Sequence, residues 1–217
     1  MRLHTPRMLV AGIVAIIAFA IPSSSQATIF GQVSTAYTLD RGTTDMGGFV
    51  SVFESSTLVF GQYRRGLFSK ADFGVQGGFV DPEASGMGVA LGADVKFLVM
   101  QTGADAPFDL AIDPRLAYFN LDSYSLVTFG GSVVISRDYP LAQGSIAPYG
   151  ALYMRLENVS FDEDLEHAPD RIDDSGMDLE LSGIAGVRWD VSELLDILGE
   201  LAFDRDLGFT IGMNFKL

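Results

Sequence analysis

The sequence contains no cysteine, which excludes disulfides and thiolate metal sites outright. Histidine is nearly absent too, with only His4 and His167. A catalytic imidazole needs a nucleophile within hydrogen-bond reach and a third group to orient it. His167 sits in an acidic run with no such set around it, so a loop histidine is expected and no enzyme activity. Carboxylate-only chemistry stays open, because Asp and Glu pairs are common. Basic residues are half as many as acidic ones, 14 against 28, giving a formal charge of −14. Nucleic-acid phosphates reward clusters of Lys and Arg, so a nucleic-acid partner is excluded. No glycine-rich element follows a strand and opens a helix, and no nucleotide or other cofactor is expected. After Ala27 no apolar stretch is long enough to cross a bilayer as a helix.

The N-terminus does carry an address. Arg2 and Arg7 precede an apolar run from Met8 to Ile21, followed by Pro22, three serines, Gln26 and Ala27. That order predicts a secretory signal peptide over residues 1–27, with Ser25 and Ala27 as the small residues at the cleavage site. Removing Arg2 and Arg7 with it takes the charge from −14 to −16. Residues 28–217 then form one domain.

Apolar residues in that domain recur with period two, the signal of strands. Phe209, Ile211, Met213, Phe215 and Leu217 fall on one face, with Gly208, Thr210, Gly212, Asn214 and Lys216 on the other. The same alternation runs from Val89 to Val99 and from Leu179 to Val191. Turn residues between such runs divide the chain into ten candidate strands, near 28–39, 49–64, 70–80, 87–100, 109–121, 125–137, 146–160, 178–191, 197–204 and 207–217. The second changes phase around Ser55 and Ser56, which predicts a bulge or a bend. Pro114 and Pro148 fall inside candidates, where each removes a ladder hydrogen bond or marks a bulge.

If strands cross a membrane they must close, because a lipid-exposed sheet edge leaves backbone groups unpaired. The fold expected is all-β: an antiparallel, transmembrane up-and-down barrel of ten strands, with eight or twelve also compatible. Short connections at 65–69 and 192–196 belong to the periplasmic side, and the long gap from Asp162 to Gly176 to the outer side. A soluble exported barrel or sandwich is the alternative, since alternation does not say which face points outward.

The C-terminal segment Phe209-Thr-Ile-Gly-Met-Asn-Phe-Lys-Leu217 resembles the targeting strand of small bacterial outer-membrane β-barrels, a porin-like class. Phe215 matches the penultimate-but-one aromatic, and Phe209, Ile211 and Met213 match the alternation. Leu217 stands where that class usually ends in Phe. The resemblance implies the outer membrane as destination and the barrel assembly machinery as partner during biogenesis. Outer-membrane lipid and lipopolysaccharide would then surround the barrel. Aromatics fit two interfacial girdles: Tyr63, Phe68, Tyr139, Trp189 and Phe215 near the inner ends of strands, and Phe79, Tyr118, Tyr124, Phe161 and Phe209 near the outer. Ordinary strand preference for aromatics gives the same pattern.

On the opposite face, charges recur two residues apart: Asp94 with Lys96, Asp113 with Arg115, Arg155 with Glu157, and Arg188 with Asp190. With Glu180, Glu200 and Lys216 they predict a nearly neutral lumen network of six acids and five bases. Ten strands lie close to the side-chain-filled limit of narrow barrels, so the expectation is a plugged or very narrow lumen and a structural or surface-binding role. The alternative is a small passive channel for polar solutes, with the same charges as a constriction. The outer acidic loop Asp162 to Asp174 is the exposed surface. It lacks the ligand spacing of an EF-hand, and no metal site is expected there.

Overall fold

The computed structural model describes residues 30–82, 86–103, 106–121, 124–161, 178–204 and 206–217. Eleven strands fall among them: β1 (Thr44–Val52), β2 (Ser56–Phe68), β3 (Ala71–Pro82), β4 (Gly88–Met100), β5 (Asp109–Leu121), β6 (Tyr124–Ser136), β7 (Tyr139–Pro140), β8 (Ser145–Phe161), β9 (Asp178–Asp190), β10 (Leu195–Phe203) and β11 (Leu207–Lys216). The two-residue β7 pairs only with β8, inside the connection that precedes it. The other ten form the wall, in chain order and antiparallel throughout. β6 pairs with β8, and β1 pairs with β11 from Asp45↔Lys216 to Val52↔Phe209, so the sheet closes on itself.

Strand alternation fixes two surfaces. On β11, Phe209, Ile211, Met213 and Phe215 are exposed at 46–50%, while Thr210 and Asn214 between them are buried. Val89, Leu91, Phe97 and Val99 of β4, and Leu181, Val187 and Trp189 of β9, face out in the same way. Among the described strand residues the outward positions carry two charges, Arg65 and Asp81, each near a strand end. The polar and charged side chains point inward instead.

Two of the ten expected strands were misplaced, in ways that cancel in the count. Residues 30–40 form no strand; they run inside the barrel, with Phe30, Val33 and Ala36 fully buried. The candidate 49–64 is two strands, and its phase change at Ser55 and Ser56 is the tip of the β1–β2 hairpin, where Phe53 N–H donates to Ser56 O (2.9 Å). A hairpin reversal resets which parity faces out, whereas a bulge shifts it within one strand. Pro114 lies opposite Gly131 with no shift in the β5–β6 register. On its other side the β4–β5 pairing skips from Asp94↔Arg115 to Phe97↔Ile112, and a register shift follows between Leu98 and Met100.

The strands end alternately at two rims: one carries the C-terminus and the connections 69–70, 137–144 and 191–194, and the opposite rim carries the β1–β2 turn at 53–55. The expected signal peptide, and the acidic loop with His167, lie outside the described residues.

Candidate functional site: the lumen and its inserted segment

The lumen is sided. On β1 to β6, toward the rim opposite the C-terminus, Phe49, Leu58, Phe60, Val80, Ala90, Phe119 and Leu126 form a buried apolar cluster around Phe30. Phe30 meets Phe60 edge-on at 5.1 Å and Phe119 at 5.7 Å, and Phe49 stacks on Phe60 at 5.1 Å. Such pairs add about 0.5–1.5 kcal/mol each to the area they bury.

Toward the C-terminal rim the lining is ionic. Arg64 lies between two carboxylates, pairing with Asp72 through Nη1 and with Asp94 through Nη2 at 2.5 Å. Asp72 also faces Lys96 Nζ at 3.7 Å, and Gln76 Nε2 donates to Asp94 Oδ1 at 2.6 Å. Arg115 pairs with Asp113 at 3.0 Å and lies over the Tyr153 ring at 5.8 Å. Near the rim, Arg188 bridges Asp138 and Asp190, both at 2.9 Å, and Lys216 reaches Asp196 at 2.8 Å. A third cluster faces the apolar one from the far wall, where Arg155 joins Glu157 (2.5 Å) and Asp204 (2.7 Å). Buried charges of this kind persist only when paired and hydrogen-bonded, as most of these are.

Segment 30–43 fills the space between. Its backbone is held by wall side chains rather than by a ladder. Arg115 Nη1 donates to Phe30 O (3.2 Å) and Gly31 O (2.9 Å), and Lys96 Nζ to Thr35 O (2.9 Å). The amides of Val33, Ala36 and Leu39 donate to Glu200 Oε1 (2.5 Å), Ser136 Oγ (3.1 Å) and Asp72 Oδ2 (2.9 Å). Gln32 is clamped by donating to Asp113 (2.8 Å) and accepting from Ser132 (2.9 Å). Val33 adopts φ 41°, a left-handed conformation that a β-branched residue takes only under constraint. The segment leaves the lumen at the C-terminal rim through Gly42, whose φ of 85° suits glycine, and an isolated parallel bridge, Arg41↔Gly66, pins the exit. A cavity of about 30 Å³, roughly one water's space, remains between Thr35, Asp45, Gln62, Arg64, Lys96 and Arg188.

All eleven residues of the expected network, Asp94, Lys96, Asp113, Arg115, Arg155, Glu157, Glu180, Arg188, Asp190, Glu200 and Lys216, lie on inward-facing positions. Three of the four i, i+2 pairs meet as ion pairs; Lys96 instead turns to Asp72 and to the inserted segment, leaving Asp94 to Arg64. Glu200 is held by Tyr149 Oη, which donates at 2.6 Å, and by the Val33 amide. The sequence reading missed Arg64, Asp45, Asp72, Asp109, Asp196 and Asp204, which share the inner face. They make the lining clearly acidic rather than nearly neutral. Arg64 and Asp72 were legible in principle: Leu58, Phe60, Gln62 and Arg64 keep one phase, as do Asp72, Gly74 and Gln76, once the hairpin at Ser55 is recognised. The C-terminal residues Phe209, Ile211, Met213, Phe215 and Leu217 all point outward.

No protein-family model and no curated protein matches the chain. Among solved structures, a bacterial polysaccharide outer membrane secretin is 12% identical, with 75% of this chain and 57% of that one covered and a TM-score of 0.44. The outer membrane protease OmpT from Escherichia coli is 9% identical over 81% and 94%, with a TM-score of 0.42. The N-terminal β-barrel domain of Pseudomonas aeruginosa OprF is 8% identical over 82% and 100%, with a TM-score of 0.37. Likenesses this distant carry no argument, and the reading of the chain rests on its own geometry.

Proposed function

We propose that the chain is an integral outer-membrane β-barrel that is closed in its resting form and serves a structural or surface-displaying role. The observation that carries this reading is the inverted polarity of the wall. Large apolar side chains cover the outside of a closed sheet, and the charges gather inside. A soluble protein rarely leaves so large a contiguous apolar surface in water, whereas a lipid-facing barrel requires it. The long strands, up to 17 residues, exceed the roughly 9–11 that a tilted crossing takes. Outward aromatics support the same placement, with Phe68 and Trp189 toward the C-terminal rim and Phe79 and Phe209 toward the other.

Export by the N-terminal 27 residues, insertion by the barrel assembly machinery, and a surround of lipid and lipopolysaccharide belong to this reading. The C-terminal rim then faces the periplasm, and the acidic loop between β8 and β9 faces outward as the displayed surface. Cell fractionation with unheated electrophoresis tests the proposal. The expected result is a detergent-extracted, compact, heat-modifiable band, and a water-soluble periplasmic monomer would overturn it. Planar-bilayer recordings of the intact protein are expected to be silent. Reproducible steps from it would favour the small passive channel instead, a reading that the long ionic lining supports.

A further inference from the structure

We infer that segment 30–43 is a removable stopper, and that the barrel without it is a cation-selective pore. The inference rests on the closed-barrel reading and adds what closes it and what would pass.

The wall does not need the segment. Ring closure is made by β1 with β11 and by β6 with β8, and residues 30–40 contribute no strand to it. Residues 30–39 carry no charge, so their departure leaves no ion pair of the wall broken. Arg64 keeps Asp72 and Asp94, Arg115 keeps Asp113, and Arg155 keeps Glu157 and Asp204. What the segment satisfies is hydrogen-bonding capacity that water can also supply: two guanidinium donations from Arg115, one from Arg188, the Lys96 ammonium, one oxygen each of Glu200, Asp72 and Asp113, and the hydroxyls of Ser132 and Ser136. Its carbon burial is confined to Phe30, Val33 and Ala36, which join the two apolar clusters of the lumen, and the rest of its attachment is exchangeable polar contact. The constrained Val33 backbone also shows that the wall imposes its conformation. Gly42 at the rim supplies the hinge on which the segment swings clear.

The emptied lumen would select by charge. Among the described residues the wall's inner face buries nine carboxylates against four bases, Arg64, Lys96, Arg115 and Arg155. Glu200 is neutralised by no ion pair, being held by Tyr149 and the segment's own amide. A narrow path with that surplus enriches small hydrated cations and repels anions. On the far side from the aromatic cluster, Arg155, Glu157 and Asp204 continue the polar lining toward the opposite rim.

The test is planar-bilayer recording of three forms of the chain. One lacks residues 30–40. The second is Gly31→Leu, because a side chain at Gly31 would begin 2.0 Å from Glu200 Oε2 and 3.3 Å from Val33 Cγ1, so the docked segment fits only if the Glu200 carboxylate gives way. The third, Ala36→Cys with Ser136→Cys, uses the cysteine-free background to tether the segment where the Ala36 amide meets Ser136. The deletion is expected to give frequent steps whose reversal potential in a potassium chloride gradient moves toward that of potassium. Gly31→Leu should open more often than the native chain, and the oxidised tether should open least, recovering on reduction. Silence from a deletion variant that still migrates as a heat-modifiable barrel would overturn the inference, as would anion selectivity. If neither the deletion nor Gly31→Leu assembles, the segment is core rather than stopper, which overturns it equally. Steps from the native chain that are unchanged in all three forms would instead refute the closed-barrel reading beneath it.

Discussion

Arg64 is the residue on which the ionic lining turns, since it alone separates Asp72 from Asp94. Arg64→Ala takes the ion pair from buried Asp94 and leaves Asp72 with Lys96 at 3.7 Å, and breaking a buried pair from one side costs about 3–5 kcal/mol. Its neighbour Arg65 points outward and is exposed, so Arg65→Ala is expected to leave stability nearly unchanged. Urea unfolding of detergent-folded protein, followed by loss of the compact band, should place the Arg64→Ala midpoint well below the Arg65→Ala midpoint. Arg188→Ala is expected to fall between them, because its side chain is 15% exposed and its partner Asp138 lies 43% exposed in a connection. Burial raises the Asp138 carboxyl above its ordinary value, against the pull of Arg188. Tyr149→Phe removes one proton donor from buried Glu200 and should cost about 1–3 kcal/mol, the penalty for a buried acceptor left short of a partner. An unfolding midpoint equal to that of the native chain would show that water replaces the hydroxyl.

Strand β11 shows most directly how a single position reads differently on its two faces. Phe215 is half exposed on the apolar surface, while its neighbour Asn214 is buried against the lumen. Phe215→Asp puts a charge on the lipid side and removes the aromatic of the terminal strand, so heat-modifiable protein in the membrane fraction should fall to near zero. Asn214→Asp, one residue away, should assemble close to normally; equal yields for the pair would remove any special role for the outward face. This same alternation made β3 to β6 and β8 to β11 legible in the sequence to within a few residues, because one face must meet lipid and the other must not. The stretch from Phe30 to Phe68 resisted for a physical reason. The backbone of segment 30–40 is bonded instead by side chains from five different wall strands, which no local pattern announces. Arg64 was lost with it, since the missed reversal at Ser55 left the phase of β2 undefined. The charge pairs two residues apart were readable along a strand; the exchange of Lys96 from Asp94 to Asp72 depends on neighbours across the sheet.

Closure gives the whole molecule a single fate. Each of the ten wall strands pairs on both sides, so cutting the chain after Gly208 removes β11 and leaves β1 and β10 with open edges. An open edge in lipid exposes unpaired amides and carbonyls at several kcal/mol each, roughly, so that truncation should abolish the compact form rather than loosen it. Unheated electrophoresis of the truncated chain checks this, and a stable nine-stranded species would contradict it. The seam itself joins Asp45 to Lys216, near the two ends of the described chain. Contacts so distant in sequence are the slowest to form. β1 therefore has to wait, edge unpaired, until the last strand has been made, and the stretch that immediately precedes it waits on the same side of the seam. Whatever brings β11 to β1 thus decides when residues 30–43 are enclosed, and the part of the domain synthesised first is among the last to reach its final place.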